Sequence, residues 1–296
     1  MGRSPTPYVL AIYPNGMDKS VVARSPRHRF PSSEALRVAV RGGWNRVSYR
    51  YRPRGKTSDR FGHTERDYRS WLGPIFTALP RGSAVLDLGS GTGVPAARIL
   101  AGRYQVTGVD LSDVQVRRAR QLVPGARFVR ADMAEVDFPS NTFGAVVVLY
   151  SLFHLPRREH RRVLRNIRRW LVPGGWLLLI GGHAAYEGRA TGWLGSDATM
   201  YWSHYDAATY RRWLSADGFR IVREQFVPEG EVGHELFLAR KTGARRAPGT
   251  TGPGAVEASG RRARGPLRPS RARRPRGEPA RPPYRSRSDG TPRKSG

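Results

Sequence analysis

The residues of this chain best placed to do chemistry lie in AVLDLGSGTGVPAARIL, positions 84–100. An apolar run ends in Gly89-Ser90-Gly91-Thr92-Gly93, and a helix-forming segment follows. Glycines at alternate positions remove Cβ where the chain must turn sharply and let a ligand approach the backbone. Free N–H groups at the start of the following helix then face polar ligand atoms. Asp87 stands two residues before the loop, and Asp110 closes the next apolar run in VTGVDLS, where it can accept both hydroxyls of a ribose. The dinucleotide fingerprint GxGxxG needs a glycine at position 94, which is Val94, and its first strand usually ends without an acid. Both departures count against a nicotinamide cofactor.

Such a loop has to be held by a sheet. Short runs rich in Val and Leu alternate with amphipathic segments, the pattern of β-α units in a parallel sheet. It predicts strands over 84–88, 105–109, 127–130, 145–149 and 176–180, with helices over 94–101, 113–122 and 157–171 between them. The last of these opens after Pro156, closes at Pro173-Gly174-Gly175, and keeps Leu164, Ile167 and Leu171 on one face, leaving its many arginines to solvent. A helix over 65–79 leads in. A helix over 207–216 leads out to strands at 219–226 and 235–240, joined by a turn around 228–233. The expected fold is therefore α/β, a Rossmann-like doubly wound sheet of about seven strands, mostly parallel, with an antiparallel C-terminal hairpin.

With these motifs in order, the sequence resembles the class I S-adenosylmethionine-dependent methyltransferase family. The family's first motif, an acid followed by xGxGxG, is matched by Asp87, Gly89, Gly91 and Gly93. Asp110 matches its ribose-binding acid, and Ala131-Asp132-Met133 its adenine-holding segment. FGAVVVLYSLFHL resembles the fourth-strand motif beside the methionine moiety and the acceptor, and LVPGGWLLLI resembles the turn and fifth strand. The resemblance spans about residues 44–240 and is greatest to stand-alone small-molecule methyltransferases. Their leading helix carries Tyr-Asp-x-x-x-x-x-Tyr, seen here as Trp44-Asn45 and Tyr51, and a lid like TMYWSHYDAATYRRWLSADGF follows the fifth strand. It implies S-adenosyl-L-methionine as cofactor, held by Asp87, Gly89, Ser90, Gly91, Gly93, Asp110, Leu111, Asp132, Met133 and Leu149. It also implies methyl transfer to an oxygen or nitrogen of a small-molecule acceptor.

Strand ends face the crevice in such a fold, so the candidate catalytic residues follow strands four and five. Tyr150 and His154 follow the fourth, and His204 lies in the lid. His183, Tyr201 and Trp202 are candidates for the acceptor pocket. A histidine titrating near neutrality can accept a proton from a phenol, hydroxyl or ammonium, although one that merely bonds a turn has the same sequence. No histidine has a metal-ligand partner at helical spacing, so no metal is implied. Zero Cys excludes cysteine-nucleophile methylation, disulfides and thiolate metal sites. Amino-methylating nucleic-acid enzymes carry Asn/Asp-Pro-Pro-Tyr where this chain has Tyr150-Ser151-Leu152-Phe153.

The 296 residues carry a formal charge of +29, which raises nucleic acid as an alternative partner. The charge is uneven, however. Residues 1–55 hold 11 basic and 2 acidic groups, residues 241–296 hold 16 and 3, and the middle holds 25 and 18. The last segment has 9 Pro and 9 Gly and few large apolar residues, so it cannot offset the entropy of ordering its backbone. Residues 1–40 are thus expected to be a disordered basic extension, 41–241 the methyltransferase-like domain, and 242–296 a disordered Arg/Pro/Gly-rich tail. Arg outnumbers Lys 48 to 4, which points to codon bias rather than to selection for phosphate contacts. No apolar run approaches the roughly 18 residues of a membrane helix, and the absence of Cys suits a reducing cytoplasm.

Overall fold

A computed structural model describes residues 32–53, 62–230 and 232–243. In chain order its elements are α1 (Ser33–Tyr51), α2 (Glu65–Ala78), β1 (Ala84–Leu88), α3 (Ala96–Ala101), β2 (Gln105–Asp110), α4 (Asp113–Leu122), β3 (Arg127–Arg130) and β4 (Phe143–Val148). There follow α5 (Arg157–Trp170), β5 (Leu171–Gly182), β6 (Tyr186–Thr191), β7 (Thr199–His204), α6 (Ala207–Ala216), β8 (Phe219–Glu229) and β9 (Val232–Lys241). Seven strands form one sheet in the order β3-β2-β1-β4-β5-β9-β8. The first five are parallel, and β9 runs antiparallel to both β5 and β8. This is the doubly wound sheet with a terminal hairpin that the β-α alternation predicts. Strand order reverses between β1 and β4, so a crevice opens beyond their carboxyl ends.

The central strands are buried on both faces, as their unbroken apolar runs require. On one face Leu72, Ile75, Leu100 and Val116 from α2, α3 and α4 pack on Val85, Val106 and Val147. On the other, Leu164, Ile167 and Trp170 of α5 and Tyr210 and Leu214 of α6 pack on Leu86, Val146 and Leu177. The arginines of α5 lie outside and are matched by acids: Arg161 and Arg165 meet Asp217, Arg162 meets Glu135, and Arg169 meets Asp137. Exposed pairs of this kind are each worth only about 0–1 kcal/mol, but they neutralise a face that would otherwise attract phosphate.

Three boundaries differ from those read in the sequence. Helix α5 stops at Trp170 because Leu171 already pairs with Phe143, and β5 passes Pro173-Gly174-Gly175 at an irregularity in register. The expected turn over 228–233 is instead strand: Pro228 pairs with Gly233 and Glu229 with Val232, so the hairpin extends to a tight tip. Finally, the N-terminal extension was expected to reach residue 40, yet α1 begins at Ser33, capped by Ser32, whose Oγ accepts from the Ala35 N–H at 3.2 Å. Leu36, Val40 and Val47 bury one face of this helix, a periodicity that leaves 33–40 helical. The rest of the expected extension, residues 1–31, lies outside the described residues, as does the expected tail beyond Gly243.

Helix α1 covers the crevice with Arg37, Val40, Trp44 and Tyr51, and the separate two-stranded sheet β6-β7 packs behind it to complete a roof. Gly43 lets α1 sit directly on Met200 of β7, where a Cβ would collide with the thioether. Val47, Met200, Trp193 and Trp202 make the roof's own small core. Among the described residues no helix is long and apolar enough to cross a membrane.

Candidate active site

The loop after β1 takes its shape from three glycines in the left-handed region, Gly89, Gly91 and Gly93. Gly89 has φ +81°, and its missing Cβ would overlap the Cβ of Ser151, so β1 and the segment after β4 can meet only through a glycine. Ser151 Oγ then donates to the Leu88 carbonyl at 2.7 Å. Gly91 has φ +54°, and a Cβ there would meet nothing nearer than Gln115 Nε2 at 3.9 Å, leaving the backbone open for close approach. Its N–H donates to Asp110 Oδ2 at 2.8 Å, while the Ser112 N–H donates to Asp110 Oδ1 at 2.8 Å. Asp110 is thereby aimed from the end of β2 with acceptor capacity left on both oxygens.

Loop and strand ends floor a cleft that is partly open to solvent. Asp87, Gly89, Ser90, Gly91, Asp110, Leu111, Asp132, Met133 and Leu149 all line it, and so do Tyr150 and His154. Gly93 closes the loop behind them at φ +73°, its open side turned toward Phe128. From the roof come Arg37, Val40, Trp44 and Tyr51, and Arg52 and Tyr68 complete the wall.

The acids of the floor are poised to take donors. Asp87 is buried, and its Oδ2 has no hydrogen-bond partner among the described residues. Burial, and then the neighbouring charge of Asp110, push its carboxyl up to about 7. Burial likewise pushes Asp110 up to about 6, against the N–H groups of Ser112 and Gly91 that favour its charged form. Asp132 accepts from the Ala134 N–H at 2.7 Å through Oδ1, and its Oδ2 faces Arg37 Nε of the roof. Arg37 also reaches Glu159 at 2.6 Å. Burial opposes its charge, but the carboxylates of Asp132 and Glu159 prevail and hold its pKa above the ordinary range.

Not every predicted residue comes to the cleft. His154 does, with Nδ1 donating to the Tyr201 carbonyl at 3.0 Å. Burial lowers its pKa to about 4, so it is a neutral imidazole and a weak base. His204 is buried beneath Tyr186 and against Gly182, outside the cleft lining, and burial lowers it to about 4 as well. Tyr201 and Trp202 are buried in the roof. Tyr201 donates to Glu187 at 2.7 Å, with its phenol pKa raised chiefly by burial, and Trp202 packs on Trp193. His183, at the end of β5, has an exposed side chain paired with Glu235 at 2.8 Å and does not line the cleft. Sequence reasoning missed Arg37, Arg52, Tyr68 and Gln115 as cleft residues. For Arg37 the available signal was the Leu36-Val40-Val47 spacing, which marks a helix with one buried face.

Comparison with known proteins bears on the same residues. Residues 85–175 match the family described as Methyltransferase domain. The chain is 40% identical over 108 residues to 27-O-demethylrifamycin SV methyltransferase of Amycolatopsis mediterranei (strain S699), a stretch covering 34% of this chain and 39% of that protein. It is 34% identical over 113 residues to the ubiquinone/menaquinone biosynthesis C-methyltransferase of Azotobacter vinelandii (strain DJ / ATCC BAA-1303), covering 35% and 44%. The chain thus spans less than half the length of these two curated relatives. Its fold aligns, at 20% identity and a TM-score of 0.56, with 1,6-didemethyltoxoflavin-N1-methyltransferase of Burkholderia thailandensis, over 73% of this chain and 93% of that one. The matched stretch, residues 85–175, is a methyltransferase domain carried on the Rossmann-like sheet. The cleft fits S-adenosyl-L-methionine, the cofactor that the resemblance implies. A buried carboxylate oxygen on Asp87 lacks a donor, Asp110 has acceptor capacity to spare, and Gly91 leaves open backbone between them.

Proposed function

We propose that the chain transfers a methyl group from S-adenosyl-L-methionine to an oxygen or nitrogen atom of a small-molecule acceptor in the cytoplasm. The observation that carries this reading is the pair of acids over the glycine loop in one cleft: Asp87, buried with an Oδ2 that lacks a donor, and Asp110, half-buried with one N–H on each oxygen and room for further donors. An uncompensated buried carboxylate is costly, and a ligand bearing an ammonium and two ribose hydroxyls relieves both. Asp110 takes the ribose hydroxyls, Asp87 favours the ammonium, and Asp132 with Met133 borders the adenine. Arg52 supplies positive charge for the amino-acid carboxylate. When bound, the cofactor supplies an electrophilic methyl on a sulfonium.

The protein's part is then to bring a nucleophile into line and exclude water, worth roughly 7–11 kcal/mol when the geometry is near-attack. Tyr150, His154 and Leu155 border the cleft after β4, while Trp44, Tyr51 and Tyr68 offer flat apolar walls that suit a small aromatic or polyketide-sized acceptor. A phenol and a neutral imidazole beside the reacting end favour a nucleophile that has a proton to lose. Isothermal titration of the full chain with S-adenosylhomocysteine tests the first step, with saturable binding expected and its absence fatal to the reading. Asp110→Ala should weaken that binding about 100-fold, since hydrogen bonds to a charged group contribute roughly 1.5–3 kcal/mol each. Label transfer from methyl-labelled S-adenosylmethionine to fractionated metabolite pools then identifies the acceptor.

A further inference from the structure

We propose that His63 is a positioning residue for methyl transfer, holding the Tyr150 phenol at the cleft as the group that receives the acceptor's proton. The inference rests on the methyltransferase reading and adds a residue that sits just before α2, remote in sequence from the motifs.

The geometry fixes the direction of the hydrogen bonds. His63 Nε2 lies 3.1 Å from the carbonyl of Pro228, which can only accept, so Nε2 carries the hydrogen and Nδ1 the lone pair. Tyr150 Oη lies 3.2 Å from that Nδ1 and therefore donates to it. Trp71 packs on the imidazole with ring centroids 5.2 Å apart. The β8-β9 hairpin backs the pair from the other side. Pro228 is near its tip, and the adjoining Glu229 is bonded at 2.7 Å to His234, whose ring meets Tyr150 edge-on at 5.8 Å. Among the described residues, Asp67 of α2, Glu229 and His234 are titratable groups packed around His63 and Tyr150.

The core contains a control. Tyr210 Oη lies 2.7 Å from His160 Nδ1, and His160 Nε2 lies 3.1 Å from the Leu155 carbonyl, with ring planes inclined at 22° as they are in the Tyr150 pair. Both of those residues are fully buried and away from the cleft, so a tyrosine–histidine pair can be packing alone. Tyr150 differs in two ways. It lines the cleft, and its backbone is held at φ +56°, which costs a bulky residue about 1–2 kcal/mol and which folds retain chiefly at functional sites. His154, the imidazole that lines the cleft, donates from Nδ1 to the Tyr201 carbonyl and makes no bond to the Tyr150 phenol among the described residues.

In the proposed step the nucleophile's O–H or N–H bond breaks as its lone pair joins the methyl carbon, and the carbon–sulfur pair remains on sulfur. The released proton passes to Tyr150 Oη, and Tyr150's own hydrogen passes to His63 Nδ1. A neutral phenol and an imidazolium result, and the imidazolium returns its proton to water.

The test uses the full chain, methyl-labelled S-adenosylmethionine and a metabolite extract as acceptor pool, alongside titration with S-adenosylhomocysteine. Tyr150→Phe keeps the ring and backbone; His63→Gln keeps an acceptor for the phenol but no basic nitrogen. Each should lower label transfer about 100-fold, within the usual range for loss of acid-base catalysis, with S-adenosylhomocysteine affinity within about twofold of wild type. The double variant should fall no further than the worse single one, because the two act as a unit. The His63→Gln deficit should shrink as pH rises from 7 to 9, where the nucleophile loses its proton unaided. In 15N spectra of the imidazoles, Tyr150→Phe should move the Nδ1 signal of His63 and leave its Nε2–H in place. Undiminished transfer by His63→Gln, a multiplicative double variant, or a deficit independent of pH overturns the proposal while the cofactor reading stands. No binding of S-adenosylhomocysteine by the wild-type chain overturns that reading, and the role of the pair with it.

Discussion

The floor and the roof of the cleft are held by different physics. On the floor, each residue stands where a strand ends: Asp87 and Asp110 are positioned by ladders whose backbone bonds are local to the sheet, and Gly89 and Gly91 by a turn that few other residues can make. The roof has no ladder to the main sheet. Side chains far apart in sequence hold it: Asn45 on Ser112, Ser48 on Gln115, and the buried Arg118 guanidinium on the carbonyls of Ser48 and Arg52. The floor therefore fixes what cofactor chemistry is available, while the roof is free to vary with the acceptor.

The largest test of this contrast is a single methyl group added on each side. In Gly89→Ala the new Cβ meets the Cβ of Ser151, which cannot swing away, and the backbone stays at φ +81°. Strain and overpacking together should cost about 3 kcal/mol and lower Tm by roughly 10 °C. In Gly43→Ala the chief obstacle is the flexible thioether of Met200, with the Thr199 carbonyl 3.2 Å away as a lesser one, so calorimetry should show a smaller loss of about 1–2 kcal/mol. Equal losses at the two positions would erase the distinction.

This division also explains what could be read in the sequence. The parallel sheet was legible because apolar runs, glycines and helix caps are local signals, and all five parallel strands lie where the pattern placed them to within a few residues, apart from the longer β5. The cleft acids were legible because they sit at strand ends. What stayed hidden depends on pairings across long sequence separations. Strands β6 and β7 pair only with each other, and TMYWSH shows too little alternation to announce a strand. His183, Tyr201 and Trp202 carry chemistry-bearing side chains, but their positions are set by packing in the roof and by Glu235 on β9. His63 reaches Tyr150 across 87 positions, a distance no local pattern spans.

A smaller effect concerns the charge state of the floor. Folding raises the carboxyls of Asp87 and Asp110 above their ordinary values, to about 7 and about 6. Their contribution to the stability of the ligand-free chain is fully present below about pH 4 and is lost as pH rises toward 7. A ligand that donates to the ionised forms must expel their protons at low pH and need not above pH 7. The affinity for S-adenosylhomocysteine should therefore rise about 100-fold from pH 5.5 to 7.5 and then level off, with net proton release in calorimetry below pH 7. Asp87→Asn should flatten most of that slope. The roof, whose cleft histidine His154 is already neutral across this range, should add nothing to it.

The smallest predicted effect sharpens the contrast at one residue of the roof. Position 45 carries Asn where the resembling pattern has Asp, and the structure accounts for the change. Asn45 Oδ1 accepts from Ser112 Oγ at 2.6 Å and from the Val114 N–H at 3.3 Å, a job that either residue could do. Asn45 also bonds the carboxylate of Asp113, which Arg130 foremost, and then this amide, hold below the usual range. An aspartate at 45 would place two carboxylates together at the start of α4, and only the amide can serve both neighbours. Asn45→Asp should thus weaken S-adenosylhomocysteine binding by about threefold to fivefold at low salt, since repulsion near the surface amounts to about 1 kcal/mol. Most of the loss should be recovered at 1 M salt, where the screening length falls to about 3 Å. Asn45→Ala should lose a similar amount with no such recovery. A salt-insensitive loss in both variants would mean that the roof, like the floor, is held by hydrogen-bond geometry alone.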